Sequence, residues 1–402
     1  MSGVPGGQSV PEFDFDPFSE EFLTDPLPFH QQMREAGPVV WLSKYNIWAM
    51  ARYQQVRDVL NNWETFCSSA GGGLSNFNNE KPWRPPSIIL EADPPLHTRT
   101  RGVLSRILNR AAIEKLRTRF DIKAHALVDQ ALVSGTVDGI KDIAEVFPLQ
   151  VFPDAVGLQK EGRENLLPYG NMAFNAFGPR NELFEQSFKE ASKVSEWIMS
   201  QCSRDALSKE GFGAQIYAAA DKGTISEEEA GMLVRSLLTA GLDTTIYGIS
   251  NALYSFAMNP DQWTLLREKP SLLRSAFDEV IRLQSPVQTF FRTTTCDTNL
   301  GEVQLGANQK VLLFLGSANR DPEKWENPDQ FTIQRRSVGH VGFGHGIHVC
   351  VGQMIARLEA EAVLSALLSK VTLIELNGEP IRQLNNTLRG LSSLPIKLHP
   401  AV

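Results

Sequence analysis

The sequence predicts a mainly α-helical fold with a small β-rich portion. Patterns typical of successive helices follow one another from about residue 100 to Lys222, separated by polar breaks. A capping box at Ser226-Glu227-Glu228-Glu229 then opens a helical pattern that continues without a proline to Asn259, which predicts one helix of roughly 50 Å. Strand-like patterns are short and lie towards the two ends of the chain.

The shorter elements are predicted from apolar runs and turn residues. Ser43-Lys44-Tyr45-Asn46 separates two apolar runs and so predicts a β-hairpin, whereas the continuous apolar run 311–315 predicts a buried strand. In chain order the predicted elements are hairpin strands over 39–42 and 47–51, a helix over 55–61, the strand over 311–315, a helix over 353–368 and a strand pair within 388–398.

The length and composition of the chain favour one large globular domain. The chain has 402 residues with neither an internal repeat nor a low-complexity linker, so we expect a single domain over residues 21–402. Residues 1–20 are polar and contain glycines, prolines and acidic residues, which predicts a flexible N-terminal arm.

Charge and cysteine usage narrow the class of protein and its compartment. A net charge of −7 argues against a nucleic-acid partner. The four cysteines, at positions 67, 202, 296 and 350, lack the spacing of a disulfide framework, and the N-terminus lacks an apolar signal or membrane segment. We therefore expect a soluble cytoplasmic protein, monomeric and acting without a membrane.

One cysteine stands in a loop that favours a metal centre. Cys350 lies in Phe343-Gly344-His345-Gly346-Ile347-His348-Val349-Cys350-Val351-Gly352, where glycines permit positive φ and close approach to a flat ligand. The helix predicted after it places this cysteine at a helix N-terminus, where the partial positive charge favours a thiolate. A thiolate in such a loop suits a transition metal that needs one strong protein ligand.

Two other metal chemistries compete for this loop. His340, His345, His348 and Cys350 carry the residue types of a zinc site. A haem of the c type is disfavoured, because the sequence contains no Cys-x-x-Cys-His.

Three further patterns carry chemistry or a plain structural role. Ala240-Gly241-Leu242-Asp243-Thr244-Thr245 interrupts the long helical pattern with poor helix formers, which indicates either a site or a packed kink. His97 and Arg101 are four residues apart, so both side chains lie on one helix face. That face is either a solvated basic surface or a site that binds an anion. Glu279 and Arg282 form an (i, i+3) pair of a kind common on solvated helix faces.

With these motifs in this order, the sequence resembles the cytochrome P450 family. The cysteine loop has every fixed position of the haem-binding pattern Phe-Gly-x-Gly-x-x-x-Cys-x-Gly, and residues 240–245 match the oxygen-activating motif Ala-Gly-x-Asp-Thr-Thr. The resemblance implies the P450 fold, a triangular helical prism, with haem b and dioxygen as co-substrate. It also implies electrons from an iron–sulfur ferredoxin and ferredoxin reductase, because the chain contains no flavin or iron–sulfur segment of its own.

The family pattern implies roles for individual residues. Asp243 and Thr244 would be catalytic, supplying protons for oxygen activation, and the Glu279–Arg282 pair would lock the core behind the haem. The pattern implies that Cys350 is the metal ligand and that Phe343, Gly344, His348 and Gly352 of the same loop contact the haem. It further implies that His97, Arg101 and Arg292 bind the haem propionates.

Within the family, the chain is similar to bacterial P450s that O-demethylate para-methoxybenzoate and related para-substituted benzoates. The segments that carry this likeness include Glu80-Lys81-Pro82-Trp83-Arg84-Pro85-Pro86-Ser87 and Ser285-Pro286-Val287-Gln288-Thr289-Phe290-Phe291-Arg292. The pocket implied by it has Arg84, Ser87, Arg235 and Ser236 at its carboxylate end, and Leu90, Phe174, Phe177, Ala240, Val287 and Phe290 around the ring.

Helix geometry supports such a pocket independently. Ser236, Ala240 and Thr244 are spaced by four and therefore share one helix face. On a continuous helix Ser236 lies about 12 Å from Thr244, and a benzoate with one para substituent is somewhat shorter than that distance.

Some features leave alternatives open. The relatives carry a small residue where this chain has His345, which suggests an effect on the proximal face or on partner docking. Arg335, Arg336 and His340 precede the loop and predict either a basic docking patch for an acidic ferredoxin or a solvated face. The rival functions are a P450 for a terpenoid or macrolide substrate and a non-enzymatic haem sensor, against which Asp243 and Thr244 count.

Overall fold

Helices dominate the computed structural model, which describes residues 4–82 and 84–401. This confirms the mainly α-helical prediction, including the helices expected over 55–61 and 353–368, which are α3 and α17. The helices are α1 (Glu20–Thr24), α2 (Leu27–Ala36), α3 (Tyr53–Asn61), α4 (Leu96–Ile107), α5 (Arg110–Glu114), α6 (Arg117–Ser134), α7 (Val146–Val156), α8 (Leu166–Asn175), α9 (Glu182–Ser192), α10 (Ser195–Gln201), α11 (Phe212–Asp221), α12 (Glu227–Ala240), α13 (Asp243–Met258), α14 (Pro260–Glu268), α15 (Leu273–Gln284), α16 (Leu315–Ala318) and α17 (Gln353–Lys370).

The strands are short and form a six-stranded sheet with smaller sheets beside it. They are β1 (Glu12–Phe13), β2 (Val40–Leu42), β3 (Ile47–Met50), β4 (Phe66–Cys67), β5 (Thr136–Asp138), β6 (Thr289–Thr294), β7 (Thr298–Leu300), β8 (Val303–Leu305), β9 (Lys310–Phe314), β10 (Val371–Leu376), β11 (Ile381–Gln383), β12 (Gly390–Ser393) and β13 (Pro395–Pro400). The main sheet has the order β1-β2-β3-β9-β6-β4.

The main sheet confirms the predicted hairpin and buried strand. β2 pairs antiparallel with β3, with Val40 opposite Ala49. Every residue of β9 is buried between a parallel neighbour, β3, and an antiparallel one, β6. This is the environment that a continuous apolar run requires.

The stretch 388–398 contains strand residues of β12 and β13, as predicted, but the prediction that the two strands pair with each other is wrong. β12 pairs with β11, whereas β13 pairs with β10 and β5, so the two strands belong to different sheets. Asp138 directs the chain between them, because its carboxylate accepts hydrogen bonds from Ser393 Oγ at 2.6 Å and from the Leu394 N–H at 3.2 Å. These contacts link residues more than 250 positions apart, which no local pattern reveals.

The segment predicted as a flexible arm is packed in its second half. β1 pairs in parallel with β2, and Phe18 is 5% exposed in an apolar cluster with Phe22 and Phe314. Residues 1–3 lie outside the described residues. The division of the chain at residue 20 into an arm and a single domain stays a prediction.

The long helix predicted after Ser226 is broken. The capping box is present, since Ser226 Oγ accepts from the Glu229 N–H and the Glu229 side chain accepts from the Ser226 N–H. However, α12 ends at Ala240 and α13 begins at Asp243. A side chain at Gly241 would collide with Phe152, so this glycine allows α7 to pack closely at the break.

The break exposes helix carbonyls, which two threonines satisfy. Thr244 Oγ1 donates to the Ala240 carbonyl at 3.0 Å, and Thr245 Oγ1 donates to the Gly241 carbonyl at 3.3 Å. The motif is therefore a packed kink, one of the two interpretations that the sequence left open, and its role as a site stays a prediction. Across the described part of the chain, no helix combines the length and apolarity needed to span a bilayer.

Candidate active site

A cavity lies between the α12–α13 break and the loop that carries Cys350. Gly241, Thr244 and Thr245 line it on the helix side. The segment from Gly342 to His345 and the segment from His348 to Gly352 line it on the loop side. The oxygen motif and the cysteine motif, about a hundred residues apart in sequence, are thus brought to opposite walls of one cavity.

Glycines shape the cysteine loop. Gly344 and Gly346 have φ values of +74° and +69°, which side chains with a Cβ rarely adopt. A Cβ at Gly346 would also collide with the Leu60 carbonyl. The Cys350 N–H donates to the Phe343 carbonyl at 2.8 Å and closes the loop, and Gly352 leaves the cysteine sulfur open, with its hypothetical Cβ 3.9 Å from Sγ.

The surroundings of Cys350 oppose a free thiolate. Burial raises the pKa of its thiol, and the N–H groups of Gly352 and Gln353 and the charges of Arg101 and Arg357 lower it less. The N–H groups at the start of α17 favour the thiolate, as the sequence predicted, but burial outweighs them. A sulfur anion here requires a positive centre beside it, which a bound metal cation provides.

The zinc alternative is contradicted. Within residues 4–82 and 84–401, no three His, Cys, Asp or Glu side chains converge to hold a metal ion. His340 accepts a hydrogen bond from the Gly342 N–H at Nδ1, and burial lowers its pKa to about 4. A neutral, internally bonded histidine of this kind is structural.

Two arginines, one buried and one half-buried, line the same cavity, and a buried histidine packs against its lining. Arg101 and Arg292 line it, and burial lowers the pKa of both guanidiniums, that of Arg292 to about 10. Among the described residues neither forms an ion pair with a carboxylate. His97 is 3% exposed with no partner for Nε2 in the described structure, and its ring centroid lies 4.3 Å from that of His348.

Asp93 contributes a contact that sequence reasoning missed. Burial would raise the pKa of its carboxyl, but the nearby His348 ring and the hydrogen bonds donated by the Ser68 and Ser69 N–H groups outweigh burial and lower the pKa to about 2. His348 Nε2 lies 3.6 Å from Asp93 Oδ1. No motif marks Asp93; the only signal is its place before Pro94-Pro95 at the start of α4.

These donors fit a flat metal-bearing group with two carboxylates. Cys350 supplies one soft ligand, and Gly344 and Gly352, which line the cavity, leave room for a plane. Arg292 and His97 are buried and Arg101 is half-buried; all three lack carboxylate partners among the described residues, and two acidic groups would satisfy them. The residues present therefore fit haem b and its propionates.

Asp243 lies beside the cavity, outside the described residues that line it. Its carboxyl packs against Gly170 of α8, where a side chain could not fit, and its Oδ2 has no hydrogen-bond partner among the described residues. Burial and, to a lesser extent, the charge of Glu145 raise its pKa to about 8. Thr244, the next residue, faces the cavity.

Aromatic and aliphatic side chains form another wall. The Phe177 ring meets those of Phe174 and Phe290 nearly edge to face, with centroids 6.1 and 5.6 Å apart. This is a favourable packing for aromatic rings and leaves flat surfaces for a ligand. The ring contacts expected from sequence all line the cavity, namely Leu90, Phe174, Phe177, Ala240, Val287 and Phe290.

The expected carboxylate end is only partly assembled. Ser236 lines the cavity, and its Oγ lies 3.4 Å from Ser87 Oγ. Arg84 instead forms a two-pronged ion pair with Glu91, at 2.8 and 3.1 Å. Arg235 donates to the Pro85 carbonyl at 3.2 Å. Both arginines hold the proline-rich loop and lie outside the described residues that line the cavity.

The Glu279–Arg282 pair is fully buried. Their side chains have no exposed surface and are 2.7 Å apart. Arg335 donates to Glu279 at 2.9 Å and is also bound by loop carbonyls. The predicted docking patch of Arg335, Arg336 and His340 is therefore wrong for Arg335 and His340, whose side chains are engaged inside the fold.

Comparison with known proteins identifies the family. The family description "Cytochrome P450" matches residues 171–399. A protein described as "Cytochrome p450 CYP199A2" from Rhodopseudomonas palustris is 55% identical over 396 residues, which cover 98% of this chain and 96% of that protein. The chain belongs to the cytochrome P450 family.

Other relatives of this P450 agree. A "Beta-dihydromenaquinone-9 omega-hydroxylase" from Mycobacterium tuberculosis is 31% identical over 97% of this chain and 79% of its own length. The solved structure of "Cytochrome P450 CYP109Q5 from Chondromyces apiculatus" superposes with a TM-score of 0.81 at 28% identity, covering 96% of this chain and 99% of that one. The P450 fold is confirmed.

Membership of the family establishes the general chemistry. The protein is a bacterial P450 monooxygenase, and the family uses haem b with a cysteine thiolate as axial ligand and dioxygen as co-substrate. Bacterial P450s of class I generally take electrons from a ferredoxin and its reductase and bind small substrates.

Proposed function

We propose that this P450 O-demethylates 4-methoxybenzoate and oxidises related para-substituted benzoates. The observation that carries the proposal is the order of groups along the cavity. Ser236, with Ser87 beside it, lies two helical turns before Thr244, and an aromatic wall accompanies them. Since α12 and α13 are separated by a break, the distance of about 12 Å expected for a continuous helix is only a guide.

Cys350 is proposed as the axial ligand of haem b, with Arg101, Arg292 and His97 holding the propionates. When bound, the haem would supply the activation of dioxygen: one oxygen atom would enter a C–H bond of the methyl group, and the other would leave as water with two protons and with two electrons from the ferredoxin. The hemiacetal so formed would lose formaldehyde and leave a phenol. Asp243 holds a proton at neutral pH because burial raises its pKa to about 8. Thr244 presents its hydroxyl at the cavity wall and is proposed to pass that proton on.

The carboxylate of the substrate must recover its hydration inside the protein. Ser236 lines the cavity and donates its hydroxyl to the Met232 carbonyl at 2.9 Å, while Ser87 lies beside it, outside the described lining. We propose that both hydroxyls turn towards the substrate, because a donor is worth more to a charged acceptor than to a neutral one. Glu91 would repel the substrate if its own charge were free, and Arg84 neutralises it. We therefore propose that Arg84 acts through Glu91 and that the serines bind the substrate directly.

The substrate proposal is tested by spin-state titration of the haem-loaded protein. Native protein should bind 4-methoxybenzoate more tightly than its methyl ester or its meta isomer. Ser236→Ala should weaken binding of the acid by roughly ten- to a hundredfold, the cost of losing one donor to a charged group, and leave the ester unchanged.

Ser250→Ala is the matched control. Ser236 Oγ donates to the Met232 carbonyl of its own helix at 2.9 Å, and Ser250 Oγ likewise donates to the Tyr247 carbonyl of its own helix at 3.3 Å. Ser250 lies outside the described lining of the cavity. This control should bind the acid as the native protein does. Equal affinity for ester and acid in native protein would contradict the carboxylate anchor and favour a neutral substrate, such as a terpenoid or macrolide.

A ferredoxin with its reductase is proposed as the electron donor. The surface that supports this is a groove on the side of α17 turned away from the cavity. Successive residues of an α-helix are rotated by about 100° around its axis. The α17 residues that line the groove therefore lie on the other side of the helix from Ile355 and Ala356, which line the cavity. The groove is lined by Arg110, Ile113, Glu114, Arg117, Arg274, Met354, Arg357, Leu358 and Glu361. The monomeric state and the cytoplasmic location stay predictions.

A further inference from the structure

Five asparagines join two distant stretches of chain beside the cavity. One stretch runs from α8 through a turn into α9, and the other is the loop between β11 and β12. Asn175, Asn385 and Asn386 are at most 2% exposed. Buried amides are costly unless their donors and acceptors are all used. The members of this asparagine cluster are Asn171, Asn175, Asn181, Asn385 and Asn386.

Asn386 lies at the centre of the asparagine cluster. Its N–H donates to Asn175 Oδ1 at 2.9 Å, and its Nδ2 donates to the Asn175 carbonyl at 3.0 Å. It also exchanges two side-chain bonds with Asn181, in which Asn181 Nδ2 donates to Asn386 Oδ1 at 2.8 Å and Asn386 Nδ2 donates to Asn181 Oδ1 at 3.0 Å. Asn385 Nδ2 adds a bond to Asn171 Oδ1 at 3.0 Å.

The residues next to these amides form the aromatic wall. Phe174 and Phe177 of the first stretch pack with Leu388 of the second in one buried apolar cluster. Gly178 allows the two backbones to approach, because a Cβ there would lie 2.6 Å from Asn386 Cβ. The position of the wall is therefore coupled to the asparagine cluster.

The opposite side of the turn is fixed by another loop. The Leu74 N–H donates to the Phe177 carbonyl at 2.8 Å, and a Cβ at Gly73 would lie 2.7 Å from Phe177 Cα. Phe177 is thus held between two pieces of chain. The amides provide the directional bonds on one side, and such bonds allow only one register of the two stretches.

We propose that the asparagine cluster is a latch that sets the position of Phe174 and Phe177 and thereby limits the release of ligands from the cavity. Its members are positioning residues, because they lie outside the described lining of the cavity and act through the two rings and Leu388. A ligand that leaves past these rings must part the turn from the loop, which breaks the Asn181–Asn386 pair. The inference holds whichever substrate the cavity accepts.

Asn181→Ser is designed to remove the bonds to Asn386 while keeping the N-cap of α9. Asn181 Oδ1 accepts from the Phe184 N–H at 3.2 Å and caps α9, a role that serine fills well. Serine is too short to keep both bonds to Asn386. The haem-loaded variant should release 4-phenylimidazole, an aromatic haem ligand without a carboxylate, roughly tenfold faster than the native protein.

Asn109→Ser is the matched control, since Asn109 caps α5 through the Ala112 N–H and belongs to no such cluster. Its release rate should equal that of native protein. Amide hydrogen exchange should rise in Asn181→Ser within residues 174–184 and 384–391 and remain native in α13. A native release rate, or exchange that rises equally in α13, would overturn the latch.

A second variant tests whether a change in the N-cap of α9, and not the loss of the Asn181–Asn386 bonds, causes the faster release. Asn386→Ser removes the same pair of bonds from the other side, together with the bond from Asn386 Nδ2 to the Asn175 carbonyl, and leaves the α9 cap intact. It should release the ligand at least as fast as Asn181→Ser, and the double variant should be no faster than Asn386→Ser, because the Asn181–Asn386 bonds are already lost there. Additive effects of the two substitutions would contradict a direct pair.

Discussion

At the residue scale, the chemistry of Asp243 is decided by what surrounds its carboxyl. The group packs against Gly170 and lacks a hydrogen-bond partner for Oδ2 among the described residues, and burial raises its pKa from 3.8 to about 8. The folded protein therefore keeps this proton between about pH 4 and pH 8, whereas the unfolded chain releases it. Since the unfolded chain binds fewer protons in that window, stability falls as the pH rises through it.

Asp243→Asn is expected to remove this loss of stability. The amide has the same shape and no charge, so the variant should match the native protein near pH 4 and exceed it by at least about 1 kcal/mol near pH 8, as measured by urea unfolding. Product formation should fall, because the proposed proton donor is lost. Asp58→Asn, at an exposed carboxylate, is the control, and parallel pH profiles of Asp243→Asn and native protein would contradict the assignment.

At the scale of single elements, α17 separates the cavity from the basic groove. The cavity contacts one side of its first turns and the groove lies on the other. Several groove cations are already paired: Arg117 lies 2.7 Å from Glu114, and Arg357 lies 2.8 Å from Asp278. Arg110 is exposed and forms no ion pair with any described residue, so it is the clearest contact for an acidic partner.

Arg110→Glu should slow reduction by a ferredoxin about tenfold at low salt, with a smaller difference at high salt. Stopped-flow reduction of the haem measures this rate. Lys397→Glu carries the same charge change on an exposed position of β13 and should reduce normally. Arg336 is the residue of the patch predicted from the sequence that remains exposed, and Arg336→Glu tests it. If Arg336→Glu is reduced slowly while Arg110→Glu is reduced normally, the groove is not the docking surface for the ferredoxin.

At the scale of the whole molecule, one buried ion pair joins α15 to the chain that leads into the cysteine loop. Arg282 donates to the carbonyls of Asn319 and Pro328 at 2.7 and 2.8 Å. Glu279 accepts from Arg335 at 2.9 Å and from Ser337 Oγ at 2.6 Å. Removing either partner leaves a buried charge and several unsatisfied carbonyls or donors.

Arg282→Met should therefore cost roughly 3–5 kcal/mol in the free energy of unfolding, as expected when half of a buried pair is lost. Urea unfolding of the haem-loaded protein measures it. Arg274→Met is the control on the same helix, where the side chain is 65% exposed and lies 3.9 Å from Glu361, and it should cost less than about 1 kcal/mol. Equal costs would show that the buried pair contributes little.

The sequence alone determined the features that depend on near neighbours in the chain. The glycines around Cys350, the small residues before Asp243 and the spacing of His97 and Arg101 are local patterns with local geometric consequences. The hairpin, the buried strand β9 and helix α17 were predictable for the same reason, because the period of the apolar residues decides which backbone buries them.

The tertiary structure alone decided which distant side chains meet. Arg84 is bound by Glu91, Arg335 by Glu279 and Asn181 by Asn386, and none of these contacts follows from helix or strand periodicity. The break between α12 and α13 likewise required Phe152 of α7 to press on Gly241. A charged or amide side chain acquires its role from the partner that neutralises or bonds it, and packing chooses that partner.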